Sequence, residues 1–224
     1  MEKERKAWNN AQKTLRTLLD AGEARHTEAI QAFLTQHAQV HASAVADGTT
    51  WSFEDEILDD ITPEAIRRIP NNCEHSVAWT IWHLARIEDV TMNLLVAGAP
   101  QLAVEEGWFE RLGTPLRHTG NAMDVPAVAA FSAEIDLDAL RAYRQAVGRR
   151  TRAIVQALSA ADVQRKVDPT RVQRILDEGA VLEEARGVTE YWSKRNIAGL
   201  LLMPPTRHCF VHLNEALKLK ERKG

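Results

Sequence analysis

The last segment of the chain contains two histidines four residues apart, His208 and His212, followed by Glu215. On an α-helix, residues i and i+4 lie on one face, roughly 5–6 Å apart at Cβ, so two imidazoles can approach one metal ion. Metal–nitrogen bonds of about 2.0–2.1 Å then require a third ligand from another element. The pattern indicates either a divalent metal site, provided that a second helix presents another ligand, or a solvated helix face near the end of the chain.

The segment SVAWTIWHLARIEDV supplies a third candidate, His83. At about 100° per residue, His83 lies on an otherwise apolar helix face. A buried imidazole without a partner costs about 1–3 kcal/mol, so its nitrogens must find one. Two interpretations stay open, a metal ligand and a core histidine held by ordinary hydrogen bonds. The other members of this face are Ser76, Trp79, Ile87, Val90, Leu94 and Ala97.

Glu215 shares the helix face of His208 and His212. One interpretation is a solvated surface residue, and another is a carboxylate that accepts a hydrogen bond from a ligand histidine and raises its basicity. A fourth ligand or a general base are further alternatives. Cys209 is rotated by about 100° from His208, so we interpret it as a small packing residue.

A second histidine pair, His37 and His41, has the same spacing. The pattern favours polar residues at the end of a helical bundle, with substrate contacts or additional metal ligands as the alternative. The acidic pair Glu88–Asp89 lies off the His83 face and indicates surface or partner-helix contacts. His75 is expected to be a cap or surface residue, and His118 receives no role.

Four tryptophans accompany these candidates. They are either walls of an apolar pocket around an ion or ordinary core residues, and core packing is the commoner role of such side chains. They are Trp79, Trp82, Trp108 and Trp192.

Helical periodicity dominates the chain, and alternating strand-like runs are missing. Long helices are predicted over 2–20, 23–46, 76–97 and 134–160, and a last long helix starts at Pro204-Pro205. Shorter helices are predicted over 162–178 and 189–202, around Thr62-Pro63, and the segment 101–132 is predicted to be irregular. This order predicts an all-α fold, a four-helix bundle with long crossover segments and short extra helices.

The composition limits the classes of protein to which the chain can belong. The chain has 224 residues, 45% hydrophobic and 26% charged, which suits a single domain over 1–224. A net charge of -3 argues against a nucleic-acid or anionic-membrane binder. Two cysteines form no disulfide framework, and apolar runs are too short to span a bilayer, so a cytoplasmic location is expected.

SVAWTIWHLARIED, paired with RHCFVHLNE near the end, resembles the DinB-like superfamily of bacterial four-helix-bundle metalloproteins. This superfamily includes metal-dependent hydrolases of the YfiT type and thiol-dependent S-transferases. Its pattern of one histidine in the second helix and an HxxxH pair in the fourth falls on His83, His208 and His212. The resemblance covers most of the chain, although the N-terminal helix and the insert 47–70 look longer than in compact members.

The resemblance implies a divalent metal cofactor (zinc, nickel or iron) bound by three histidines. It also implies hydrolysis or thiol (S-)transfer on a small molecule, with a thiol among the candidate substrates. The alternatives are a non-catalytic metal-binding protein and a helical interaction protein, either one related to stress or DNA damage. A homodimer through an exposed bundle face is a further expectation.

Overall fold

The computed structural model describes residues 2–222, and within that range the fold is all-α, as predicted. The α-helices are α1 Glu2–Asp20, α2 His26–Ala38, α3 Phe53–Leu58, α4 Pro63–Arg67, α5 Val77–Asp89, α6 Leu102–Glu105, α7 Trp108–Arg111, α8 Val125–Glu134, α9 Leu137–Ala157, α10 Ala160–Gln164, α11 Pro169–Asp177, α12 Gly187–Ser193, α13 Ile197–Leu201 and α14 Cys209–Glu221. None of these helices is long and apolar enough to cross a membrane.

Helix α5 forms the centre of the bundle. The Ser76 hydroxyl accepts a hydrogen bond from the Trp79 backbone N–H, which caps the helix and fixes its start. The helix continues as a π-helix over Val90–Ala97 and ends at Gly98, which has φ +73°. Every residue from Val77 to Val96 is buried, so neighbouring elements cover this helix on all sides.

The other long helices pack around α5. Helices α9 and α14 contact it directly, while α1 packs along α2. Trp8 of α1 stacks on Phe210 of α14 with ring centroids 4.1 Å apart, which ties the first and last helices together. The functional candidates on α5 and α14 are thus held by a packed core rather than by loops.

The predicted helix over 23–46 was wrong in extent. A short 3-10 helix, Gly22–Arg25, leads into α2, which ends at Ala38. The Gln39 carbonyl accepts a hydrogen bond from the Phe53 N–H at 2.9 Å, so it does not continue the helical ladder. His41 therefore lies beyond α2, in the turn that leads to a second 3-10 helix, Ser43–Val45.

The crossover segments contain more structure than predicted. The segment 101–132, predicted to be irregular, holds α6, α7 and most of α8, and Asp124 caps α8 by accepting from the Ala127 N–H. Helix α9 begins at Leu137 after the Asp136 cap, not at 134, and ends at Ala157. The two predicted helices 162–178 and 189–202 are each divided into two shorter ones.

The last helical stretch starts near Pro204-Pro205, as predicted, but its first residues form a π-helix, which is wider than an α-helix. Met203–His208 is a π-helix that continues directly into α14. Pro204 and Pro205 lack the N–H groups that an α-helix needs, and the Thr206 hydroxyl donates to the Leu201 carbonyl instead, at 2.8 Å. His208 and His212 consequently share one continuous helical stretch.

Candidate metal centre

The structure brings together the three histidines that the sequence singled out. One ring nitrogen each from His83, His208 and His212 lies within 4.8 Å of the other two. The Nε2 atoms of His83 and His208 are 3.3 Å apart. Helix α5 presents the first ring and the last helical stretch presents the other two, the arrangement expected of a site built between packed helices.

Hydrogen bonds on the far side of two rings orient these histidines. The Nδ1 of His83 lies 2.6 Å from the backbone carbonyl of Thr119, and the Nδ1 of His212 lies 2.6 Å from Oε2 of Glu215. Both acceptors are oxygens, so each ring carries its proton on Nδ1 and keeps a lone pair on Nε2. Such partners fix the tautomer of metal-binding histidines and raise their basicity.

Burial favours the neutral form of two candidate ligands, His83 and His208. Desolvation, reinforced by the nearby His212 ring, lowers the pKa of His83 to about 3. Burial and the neighbouring His83 ring hold the pKa of His208 well below its ordinary value. Its Nδ1 is buried and has no hydrogen-bond partner among the residues that the structure describes. Neutral imidazole is the form that binds metal ions.

Aromatic stacking supports His83. Trp79 stacks on the His83 ring with centroids 4.7 Å apart, and His75 stacks on Trp79 at 3.9 Å. His75 is therefore not a cap, since Ser76 takes that role. Trp82 and Trp108 are core residues that pack against Phe131 and Tyr143 respectively.

The loop before α8 places the Thr119 carbonyl within hydrogen-bond distance of the His83 Nδ1. Gly120 has φ +85°, and a Cβ at this position would lie 2.6 Å from the Trp82 ring. The loop therefore depends on glycine, both for its backbone angle and for its close approach to the tryptophan. His118, which received no role from sequence, accepts a hydrogen bond from the Gly120 N–H at 3.0 Å.

A pocket of about 250 Å³ opens beside His208. Apolar side chains dominate its lining, and the Asn121 amide adds a polar group. The amide oxygen accepts from the Thr119 hydroxyl at 2.7 Å, which ties the pocket to the loop that holds His83. The other lining residues are Ile87, Gly187, Val188, Tyr191, Trp192, Met203 and Pro204.

The surface alternative for Glu88 and Asp89 was wrong, because both are fully buried within the chain. The partner-helix alternative is confirmed, since both carboxylates contact side chains of neighbouring helices. Asp89 accepts hydrogen bonds from the Tyr143 hydroxyl and from the backbone N–H groups of Leu102 and Ala103. Glu88 lies about 140° around α5 from His83 and faces α2 and α9 instead. The amphipathic interpretation failed because α5 is enclosed on every side.

His37 and His41 do not lie at a solvated bundle end. Both are fully buried, and their Nε2 atoms each lie 2.9 Å from a carboxylate oxygen of Glu88. Arg144 donates to the same carboxylate at 2.8 Å and to Glu54 at 3.0 Å. His37, His41 and Glu88 form the second group whose atoms could hold a metal ion.

Cys209 is buried, as expected of a packing residue, but it also contacts polar groups. Its Sγ lies 3.4 Å from the Arg144 Nη2 and 3.8 Å from the Glu88 carboxylate. It therefore packs against the second histidine group, while the adjacent His208 belongs to the first.

A family model described as the DinB superfamily matches residues 48–203. The chain belongs to the DinB superfamily. This match covers 156 of the 224 residues and includes His83. It ends before His208 and His212, so the inclusion of these two histidines depends on the geometry described above. Comparison with curated proteins finds no match to the chain.

Proposed function

We propose that this DinB-superfamily protein is a metal-dependent enzyme in which His83, His208 and His212 hold one divalent ion. Its substrate is a small molecule, transformed by hydrolysis or by thiol transfer. The observation that carries the proposal is the 3.3 Å separation of the His83 and His208 Nε2 atoms. The Thr119 carbonyl leaves the His83 Nε2 with a free lone pair that faces His208 and is available to a cation.

The donor set suits zinc, nickel or ferrous iron, all of which accept imidazole. When bound, such an ion supplies Lewis-acid activation of a water or a thiol. Three protein ligands leave at least one coordination position open, which is typical of catalytic rather than structural sites. The His212 side chain is 21% exposed, so the site is accessible from solvent on this side.

Glu215 supports the proposed reaction in two ways. Its carboxylate fixes the His212 tautomer, and the hydrogen bond from His212 lowers the pKa of Glu215, which keeps it ionised. Its side chain is half exposed and has a second oxygen, which makes it a candidate to accept a proton from an approaching water or thiol.

The pocket beside His208 fits the apolar part of a small substrate. Tyr191 and Trp192 provide aromatic surface, and the Asn121 NH2 group is available to donate a hydrogen bond. A substrate bound in this pocket would place its reacting group next to His208.

The test compares the wild-type protein, reconstituted separately with zinc, nickel and ferrous iron, with the variants His212→Ala and Val188→Trp. Each is assayed against small thiol acceptors and hydrolysable esters and amides. We expect wild-type turnover that depends on added metal. His212→Ala should lose the ion of this site together with turnover, whereas Val188→Trp should keep this ion and lose turnover because the new indole fills the pocket.

Val104→Trp is the matched control, because Val104 is exposed on α6 and does not line this pocket. It should keep both metal and turnover. Metal binding without turnover on any of the substrates would leave a metal-binding protein and contradict the enzymatic proposal.

A further inference from the structure

The second histidine group occupies the opposite side of α5 from the first. His37, His41 and Glu88 all have fully buried side chains. The two imidazole rings stack with centroids 4.0 Å apart, and each directs its Nε2 to a different oxygen of the same carboxylate. Two nitrogens and a carboxylate therefore converge in a region from which solvent is excluded.

The contact between His41 and Glu88 is not a hydrogen bond. Their Nε2 and Oε2 atoms are 2.9 Å apart without meeting hydrogen-bond geometry, and neither ring nitrogen of His41 has a hydrogen-bond partner within the described residues. Buried polar atoms without partners are rare in proteins. Ligand atoms bound at about 2.1 Å in adjacent positions around one ion lie roughly 3.0–3.4 Å apart. The observed spacing is close to this range.

The charges of the surrounding groups leave room for a further cation when both buried carboxylates are ionised. Glu54 and Glu88 bring two carboxylates, and Arg144 brings one guanidinium that contacts both. If the Arg144–Glu54 pair balances itself, the Glu88 carboxylate remains without its own positive charge. A buried charge is very costly unless it is paired or coordinates a metal.

We propose that His37, His41 and Glu88 form a second, closed site for a divalent transition-metal ion, distinct from the His83 site. Two imidazoles and one carboxylate are a donor set that zinc and ferrous iron accept. Since no side chain of the group is exposed, an ion there acts structurally rather than on a substrate. The proposal does not depend on the function of the His83 site.

Neighbouring residues hold this geometry. Arg144 of α9 donates to the Glu88 Oε2 and to the Val40 carbonyl between the two histidines, which orients the carboxylate. Gly148 of α9 makes room for the His41 ring, since a Cβ at this position would lie 2.7 Å from Nδ1. A bound ion would therefore connect α5 to α2 and to the turn after it, with α9 packed behind.

The direct test is diffraction from wild-type crystals grown with zinc, with anomalous data collected on both sides of the zinc edge. We expect one anomalous peak among His37, His41 and Glu88, in addition to any peak at the His83 site. A peak at the His83 site alone would overturn the proposal, as would no peak at all under zinc saturation. A peak at the second group alone would support it and count against the proposed enzyme site.

A solution experiment checks the same point with a matched pair of variants. His41→Asn should bind one zinc ion fewer per chain than the wild type. His26→Asn, at the start of α2 and in neither group, should bind the same number as the wild type. Equal zinc content in the wild type and a folded His41→Asn protein would overturn the proposal. If His41→Asn does not fold, the diffraction experiment decides.

Discussion

The Nδ1 of His83 lies 2.6 Å from the backbone carbonyl oxygen of Thr119, a residue 36 positions later in the chain. A carbonyl can only accept, so the His83 ring must donate from Nδ1 and turn an unprotonated Nε2 towards His208. A backbone contact from a loop thus determines the chemistry of a side chain in the bundle core. The integrity of that loop should control the site.

Gly120→Ala should destabilise the protein strongly. The substitution forces an alanine into φ +85° and places its Cβ 2.6 Å from the Trp82 ring, so strain and overpacking combine. We expect a loss of roughly 2–4 kcal/mol in the free energy of unfolding, measured by urea denaturation. Gly113→Ala is the control, because φ is +68° there but no atom lies within 4 Å. It should cost only about 1 kcal/mol, and equal losses would show that the Trp82 contact is unimportant.

Glu215→Ala should weaken metal binding without unfolding the protein. The carboxylate accepts from the His212 Nδ1 at 2.6 Å and is half exposed. Loss of such a partner typically lowers metal affinity by about 10- to 100-fold. Competition with a chromophoric chelator measures the change in Kd. Glu221→Ala, an exposed change of the same charge on the same helix, should leave Kd unchanged. Similar affinities for both variants would remove Glu215 from the site.

Arg144→Leu should be far more damaging than Arg150→Leu. Both arginines belong to α9, but Arg144 is fully buried between Glu54 and Glu88, while the Arg150 side chain is 31% exposed beside Glu105. Removing one partner of a buried ion pair costs about 3–5 kcal/mol because a charge is left unpaired. An exposed pair contributes about 0–1 kcal/mol. Urea denaturation should separate the two variants, and similar losses would contradict the assignment of Arg144 as a core ion-pair residue.

The metal-free protein should lose stability as the pH falls below the ordinary histidine pKa of 6.5. Burial lowers the pKa of folded His83 to about 3, so between these values the unfolded chain takes up a proton that the folded chain excludes. Each such histidine removes about 1.4 kcal/mol per pH unit in that window. Urea midpoints of chelator-treated protein should fall with pH, and less steeply for His83→Gln. An identical pH dependence for both proteins would show that His83 is not the titrating group.

The three histidines of the candidate metal centre could be found from sequence because their positions follow helical geometry. His208 and His212 are one turn apart, and His83 interrupts an apolar helix face. Glu215 could be placed beside His212 by the same reasoning. The contact of His83 with the Thr119 carbonyl could not be predicted, because the acceptor is a backbone oxygen in a loop and does not depend on a recognisable side chain.

The grouping of His37 and His41 with Glu88 was not predicted, because α5 was interpreted as a helix with one polar face that carries Glu88 and Asp89. The stretch VAWTIWHLARIEDVTMNLLVA carries charges only at Arg86, Glu88 and Asp89, which is also the pattern of a helix buried on every side with paired charges. The wide turns at Val90–Ala97 and Met203–His208 were equally unpredictable, since a π-helix depends on tertiary packing.

The most direct test of the proposed metal centre is the number of zinc ions bound per chain by the wild-type protein and by the double variant His83→Ala/His208→Ala. Both are saturated with zinc, freed of excess ion and analysed by plasma mass spectrometry, with helicity checked by circular dichroism. We expect one ion fewer in the folded double variant than in the wild type. Equal zinc content in the two folded proteins would contradict the proposed metal centre.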